Sequence, residues 1–146
     1  MKLFCKKKNI VIIGCGTIGS ALASDASICN YNVTVIDKNS GAFLDLPSDF
    51  NGYTIVGDGT QMEVLLSAGI PNADCLITAT NDDDVNIMIA QIASVHFKLS
   101  QVIVRVNDFY KKSACDELNI QTLCPAELTV NEIEKVLDFK REEKVG

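Results

Sequence analysis

The chain has 146 residues, 47% of them apolar and 22% charged, the size and balance of one folded domain rather than of a disordered or two-domain protein. Its 13 Lys and Arg stand against 19 Asp and Glu, a formal net charge of −6. That argues against nucleic acid as a partner, because neutralising phosphates takes a net basic face.

The chain opens on a lysine-rich stretch, Met1 to Lys8. It has the charge of a signal-peptide leader, but the apolar run after it, 10–13, is halted by Gly14 and is too short for the apolar core of one. No stretch approaches the ~20 apolar residues of a membrane span. A soluble, cytoplasmic protein is expected, with the lysines a solvated lead-in to the first strand.

Short runs rich in Val and Ile recur at 10–13, 33–36, 53–56, 75–78 and 102–106. Apolar on both faces, they predict parallel strands buried between two helical layers. Segments of helical periodicity separate them. Ile18, Leu22, Ala26 and Cys29 form one stripe, and Val64, Leu65 and Ala68 a shorter one. Val85, Ile89, Ile92 and Ala93 form a third after Asn81, the predicted N-cap. Residues 109–118 read as helical and 122–123 as a short sixth strand. Pro125 then precedes a final helix, 126–139, with Ala126, Val130, Ile133 and Leu137 on one stripe and a charged tail behind it. Alternation of this kind means right-handed crossovers. The expected fold is α/β: a single doubly wound Rossmann-like domain over 1–146, with a mostly parallel six-stranded sheet and a C-terminal helix.

The first strand runs into Gly14-Cys15-Gly16-Thr17-Ile18-Gly19, a GxGxxG turn opening a helix. Gly14 permits the tight turn, Gly16 lets a pyrophosphate approach the backbone, and Gly19 removes a side chain where helix meets sheet. The helix N–H groups then face the phosphates with the positive end of the dipole. GxGxxG alone is weak, but here 29 residues separate Asn9 from Asp37 inclusive, matching the ~30-residue βαβ unit. Asp37 also lies 18 residues beyond Gly19, near the ~20 expected of a ribose-binding acid. Such an acid accepts from ribose hydroxyls and repels a 2′-phosphate, which favours NAD or an adenosine nucleotide over NADP. Lys38 either softens that preference or is a solvated turn residue.

This ordered set of motifs resembles the N-terminal nucleotide-binding domain of Trk/Ktr potassium-uptake regulators, the RCK or KTN domain. The resemblance rests on 14–19, on Asp37-Lys38-Asn39, on Gly57-Asp58-Gly59-Thr60, on the stretch from Ala73 to Asn86, and on Arg105 in Val102-Ile103-Val104-Arg105-Val106. It implies a cytoplasmic regulatory subunit that binds NAD(H) or ATP/ADP and gates a membrane potassium transporter, lying at the inner face of the membrane through that transporter. Homo-oligomers, dimers or rings, are implied as well. By the same resemblance Gly14, Cys15, Gly16, Thr17 and Ile18 hold phosphates and Asp37 a ribose. Asp58, Gly59 and Thr60 lie by the adenine, and Ala79, Thr80 and Arg105, with Asn81, line the rest of the crevice. Two departures stand out. Thr17 occupies a position where relatives that sense a third phosphate carry arginine, and no C-terminal ligand lobe is expected before Gly146.

The remaining reactive residues admit two readings each. Arg105 either clamps a phosphate with its planar fork or makes a salt bridge at the sheet rim. Asp82, Asp83 and Asp84 either hold a cation or complement the dipole of the third helix. Cys15, at a helix N-terminus, has either a lowered thiol pKa suited to redox sensing or the role of a small loop residue. The six cysteines contain no CxxC pair, and His96 is the one histidine, so no zinc site is expected and a reducing compartment is. His96 falls well down the third helix, away from the nucleotide turn. With every segment absorbed by the nucleotide fold, no enzyme activity is expected. The alternative is a small NAD-dependent oxidoreductase, or a detached cofactor domain of one, whose substrate groups come from elsewhere.

Overall fold

The computed structural model describes residues 6–138. Residues 1–5, Phe139 and the charged tail lie outside them.

Six strands are laid down in chain order: β1 (Asn9–Ile13), β2 (Asn32–Asp37), β3 (Tyr53–Val56), β4 (Cys75–Thr78), β5 (Gln101–Arg105) and β6 (Ile120–Leu123). They form one sheet in the order β3-β2-β1-β4-β5-β6, and every neighbouring pair is parallel. The sheet is therefore wholly rather than mostly parallel. Chain progression runs outward from β1 in one direction, then returns and runs outward from β4 in the other. The strand order reverses between β1 and β4, which is where doubly wound sheets open a crevice.

Four α-helices accompany the sheet: α1 (Thr17–Ile28), α2 (Met62–Ser67), α3 (Asp83–Gln91) and α4 (Pro125–Leu137). Pleating sends alternate side chains to opposite faces. Val11, Ile13, Ile36, Leu76, Val102 and Val104 pack with Leu65, Ile87, Ile89 and Ala90 of α2 and α3 in the larger core. Ile12, Val33 and Val35 pack on the opposite face with Ala23 of α1 and with half-buried Phe43 and Phe50. The edge strand β3 departs from the expectation of burial on both faces, since Tyr53, Thr54 and Val56 are exposed.

Helices α1 and α3 differ from their predicted form. The buried face of α1 is Gly19, Ser20 and Ala23, while Leu22 and Cys29 of the predicted stripe are exposed. Small residues win that face because the helix lies so close to the sheet at its first turn. α3 is capped by Asp82, whose carboxylate accepts from the Val85 N–H at 3.1 Å, and not by Asn81. It also gives way to a π turn over Ile92–His96, leaving His96 exposed with its ring edge-on to Phe97. In α4 no residue is buried, so the stripe of Ala126, Val130, Ile133 and Leu137 covers no core of the described residues. An ion pair from Lys112 to Glu127, 3.0 Å, ties its first turn to the 3-10 turn Phe109–Cys115.

Candidate functional site

A cavity of about 520 Å³ opens over the C-terminal ends of β1, β2, β3 and β4. Gly14, Cys15 and Gly16 wall it from the turn after β1, and Asp37, Lys38 and Asn39 from the end of β2. Asp58 and Gly59 come from the turn after β3, and Ala79, Thr80, Asn81 and Asp82 from the turn after β4. Of the residues singled out in the sequence, Thr17, Ile18, Gly19, Thr60 and Arg105 do not line this wall.

The turn after β1 is built by two steric constraints. Gly14 has φ +101°, a region that L side chains rarely adopt, and a Cβ there would lie 2.8 Å from the Ala79 carbonyl carbon. A Cβ on Gly19 would overlap the Gly14 carbonyl oxygen. Gly16 is different: a Cβ there would meet nothing within 4 Å and would project into open space. No packing within the described residues therefore requires glycine there.

Above this turn the N-terminus of α1 is bare. Gly16 offers no side-chain cap and no acidic residue occupies the first turn. The first turn of a helix carries orphan N–H groups and the positive end of the macrodipole, so an uncapped one facing a crevice suits an anion. The N-terminus of α3 is the opposite case. Asp82 caps it, and Asp83 and Asp84 fill its first turn.

Asp37 is held with its two carboxylate oxygens in use. Oδ2 accepts from the Cys15 N–H and Oδ1 from the Asn39 N–H, both at 2.8 Å. These bonds fix the carboxylate between the glycine turn and the end of β2, with lone pairs left over for hydroxyl donors. Asp58 accepts from the Thr60 N–H at 2.9 Å and the Thr60 hydroxyl at 2.7 Å, and pairs with Lys38 at 3.4 Å. The hydroxyl first, then the backbone bond and Lys38, hold its carboxyl below the usual range. Thr60 thus shapes the site through Asp58. The thiol of Cys15 is fully buried, and burial, followed by the charges of Asp37 and Asp45, pushes its pKa up. The lowered pKa entertained for a redox-sensing Cys15 is thereby reversed: desolvation and two carboxylates outweigh the helix N-terminus.

Asn86 is a residue whose role the sequence motifs did not reveal. It is fully buried, and its side chain makes four hydrogen bonds. Oδ1 accepts from the Thr80 N–H at 3.0 Å and the Thr80 hydroxyl at 2.6 Å. Nδ2 donates to the carbonyls of Thr80 and Arg105, both at 2.9 Å. One amide therefore clamps the end of β4 to the end of β5 beneath the crevice wall. The three aspartates of α3 are all engaged. Asp82 caps, Asp83 accepts from the N–H groups of Asn107 and Asp108 at 2.8 Å each, and Asp84 pairs with Lys111 at 2.9 Å. Arg105 is half-buried behind Asn81, to which its Nη1 donates at 3.4 Å, while its buried Nε has no partner among the described residues. Asn39, Ala42 and Asp45 also enter the wall. They belong to the stretch after β2, which carries no motif beyond the Asp37-Lys38-Asn39 already noted.

A parallel sheet that reverses its order beside a glycine turn places the chain in the class of Rossmann-like, doubly wound α/β domains. Within that class the model of the TrkA-N domain matches residues 10–124, and the chain belongs to the TrkA-N domain family. It is 32% identical over 125 residues to the Trk system potassium uptake protein TrkA of Streptomyces coelicolor, a match covering 86% of this chain and 56% of that protein. The chain thus spans about half the length of that relative. Among solved structures, the TrkA-N domain of the inner membrane protein YbaL from Escherichia coli superposes with a TM-score of 0.80 at 16% identity, covering 90% of this chain and 98% of that one. The GsuK channel bound to NAD superposes with a TM-score of 0.76 at 24% identity over 92% of this chain and 24% of that one. GsuK has also been solved bound to ADP, with a TM-score of 0.74 at 24% identity over 90% and 34%. At these identities the structures establish a shared fold.

Proposed function

We propose that the chain is a regulatory nucleotide-binding unit of a potassium transport system. It binds an adenine nucleotide, NAD(H) or ATP/ADP, in the crevice at the β1–β4 switch point and passes its occupancy to a membrane transporter subunit. The carrying observation is the uncapped α1 N-terminus above Gly16, where a Cβ would meet only open space, set beside the immobilised carboxylate of Asp37. Together they supply anion-binding N–H groups and a hydroxyl acceptor, the two halves of a ribose-phosphate. Membership of the TrkA-N family and the NAD and ADP bound by GsuK support this assignment.

In this role Gly14 to Ile18 cradle the phosphates, Asp37 takes the ribose, and Asp58, Gly59 and Thr60 flank the adenine. Ala79, Thr80 and Asn81 line the distal wall, with Arg105 reaching that end through Asn81. Binding rather than turnover is the activity, and the chain works at the cytoplasmic face of the membrane. No helix among the described residues is long and apolar enough to cross a membrane. Control runs through assembly of copies of the chain. The exposed apolar side chains of α4, Val130, Ile133, Val136 and Leu137, are the contact offered to a second copy.

Thermal unfolding with NAD, NADH, NADP, ATP, ADP and AMP tests the nucleotide assignment. A ligand at 100 times its Kd adds about 2.7 kcal/mol, which raises the midpoint of a domain this size by about 5–10 °C. No shift with any of the six overturns the assignment, and steady oxidation of NADH with small carbonyl substrates replaces sensing by catalysis. Light scattering tests assembly: a monomer at all concentrations, with or without nucleotide, removes it.

A further inference from the structure

The charge of the crevice wall runs against its proposed ligand. Four carboxylates, Asp37, Asp45, Asp58 and Asp82, line it together with one ammonium, Lys38. Lys38 is already paired to Asp58. Asp37 and Asp82 receive backbone N–H groups, and Asp58 is bonded to Thr60. Asp45 ends the 3-10 turn Ser40–Asp45, and its carboxylate makes no hydrogen bond or ion pair with the described residues. Its field nonetheless reaches the glycine turn, where it acts on the Cys15 thiol. The turn itself carries Thr17 and no cation. Arg105 adds one positive charge behind Asn81, outside the wall, and the balance around the cavity stays negative.

Resting on the nucleotide-binding assignment above, we infer that this crevice selects among adenine nucleotides by total charge. Asp45 is the specificity-determining residue that penalises each added phosphate, so NAD⁺ binds ahead of metal-free ATP. ATP carries roughly four negative charges and ADP three, whereas the nicotinamide cation leaves NAD⁺ with roughly one. An exposed carboxylate at ~10 Å in a water-like medium changes affinity by a factor of about two per unit charge. An acidic, solvent-open wall also dictates the sign of the salt effect. Screening relieves repulsion, so added salt strengthens ATP binding, whereas a cationic phosphate cradle is weakened by it.

Isothermal titration of the full chain in EDTA, with NAD⁺, AMP, ADP and ATP at low and high ionic strength, reads this directly. The expected order at low salt is NAD⁺, AMP, ADP, ATP from tightest to weakest, with the spread narrowing as salt rises. D45N is a surface substitution in a turn. Removing that charge is expected to tighten ATP, with about four charges, by about 16-fold and NAD⁺, with about one, by about twofold. ATP binding as tightly as NAD⁺ at low salt overturns the inference, as does an equal effect of D45N on both or weakening of ATP by salt. In each of those cases nucleotide binding itself stands. Absence of heat and of thermal shift with all four removes the binding assignment along with the charge selection.

Discussion

Replacing Asn86 by alanine removes one side chain that four backbone or hydroxyl partners depend on. Each net hydrogen bond contributes about 1 kcal/mol, and an abandoned buried partner costs about 1–3 kcal/mol. The Arg105 carbonyl loses its bond to Nδ2, and Thr80 loses partners for its N–H, its carbonyl and its hydroxyl. Thr80 is half-buried and recovers some of this from water, which brings the sum down to about 2–4 kcal/mol. Against a total stability of about 5–15 kcal/mol that is a large fraction.

Urea denaturation of N86A and the wild type measures it. With a slope of about 1–3 kcal/mol per molar, the midpoint is expected to fall by about 1–2 M at unchanged slope. N86D keeps the shape but turns an oxygen toward the two carbonyls that Nδ2 served, so it fares no better than alanine. A cycle with T80V isolates the bond between the two side chains, with an expected coupling of about 0.5–3 kcal/mol. A midpoint for N86A within about 0.3 M of wild type would refute the idea that Asn86 clamps β4 to β5. Because Ala79, Thr80 and Asn81 wall the crevice, nucleotide affinity also falls under conditions where N86A remains folded.

The second and third glycines of the turn, Gly16 and Gly19, separate fold from function. G16A leaves the denaturation midpoint nearly unchanged, since its Cβ meets nothing, yet lowers nucleotide affinity in the same titration; G19A, whose Cβ overlaps the Gly14 carbonyl, destabilises the chain by several kcal/mol, on the order of a core overpacking. T60V raises the Asp58 pKa toward its ordinary value, read by carboxyl carbon NMR. Because the folded-state value is depressed, the stability Thr60 supplies through Asp58 is present above the unfolded pKa of about 3.9 and is lost as pH falls through the folded one, so the T60V deficit shrinks in strong acid. Thiol alkylation near neutral pH modifies exposed Cys29 well before buried Cys15, whose pKa is raised; mass mapping showing equal rates would contradict that assignment.

The parts of this fold that were legible in the sequence are those whose signal is local. The Val and Ile runs locate β1 to β5 to within a residue because strands inside a parallel sheet are apolar on both faces. The spacing from Gly14 to Asp37 places the glycine turn and the carboxylate together because a βαβ unit has a nearly fixed length. What failed was set by neighbours distant in sequence. Four consecutive residues, Asn81 to Asp84, can each cap a helix. Asp83 is drawn inward to hold Asn107 and Asp108, some 25 residues on, which puts the cap at Asp82. Periodicity picked Ile18, Leu22, Ala26 and Cys29 for the inner face of α1. Contact at the glycine turn selects instead for small size, so Gly19, Ser20 and Ala23 go inward. Asn86 looked like any polar helix residue, because its partners are main-chain groups that no pattern displays.

Periodicity likewise showed α4 to be amphipathic without showing where its apolar side goes, and among the described residues that side is exposed. A continuous set of bonds nevertheless reaches it from the crevice. Asn86 joins the wall at Thr80 to the end of β5, and Asp83 holds the loop at Asn107 and Asp108. The Cys124 thiol donates to the Asn107 carbonyl at 3.6 Å, and Lys112 grips Glu127 in the first turn of α4. Bonds alone do not make a switch. A nucleotide changes the disposition of α4 only if it binds one arrangement of this linkage better than another, by about 1.4 kcal/mol for each tenfold shift in population. The wall residues Ala79 to Asp82 line the crevice on one side and adjoin the Asn86 clamp on the other, which makes them the position in the proposed role from which such a difference reaches the linkage. On the function proposed above, ligands are discriminated at the carboxylates of the crevice and the difference is expressed at a helix that makes no part of the site.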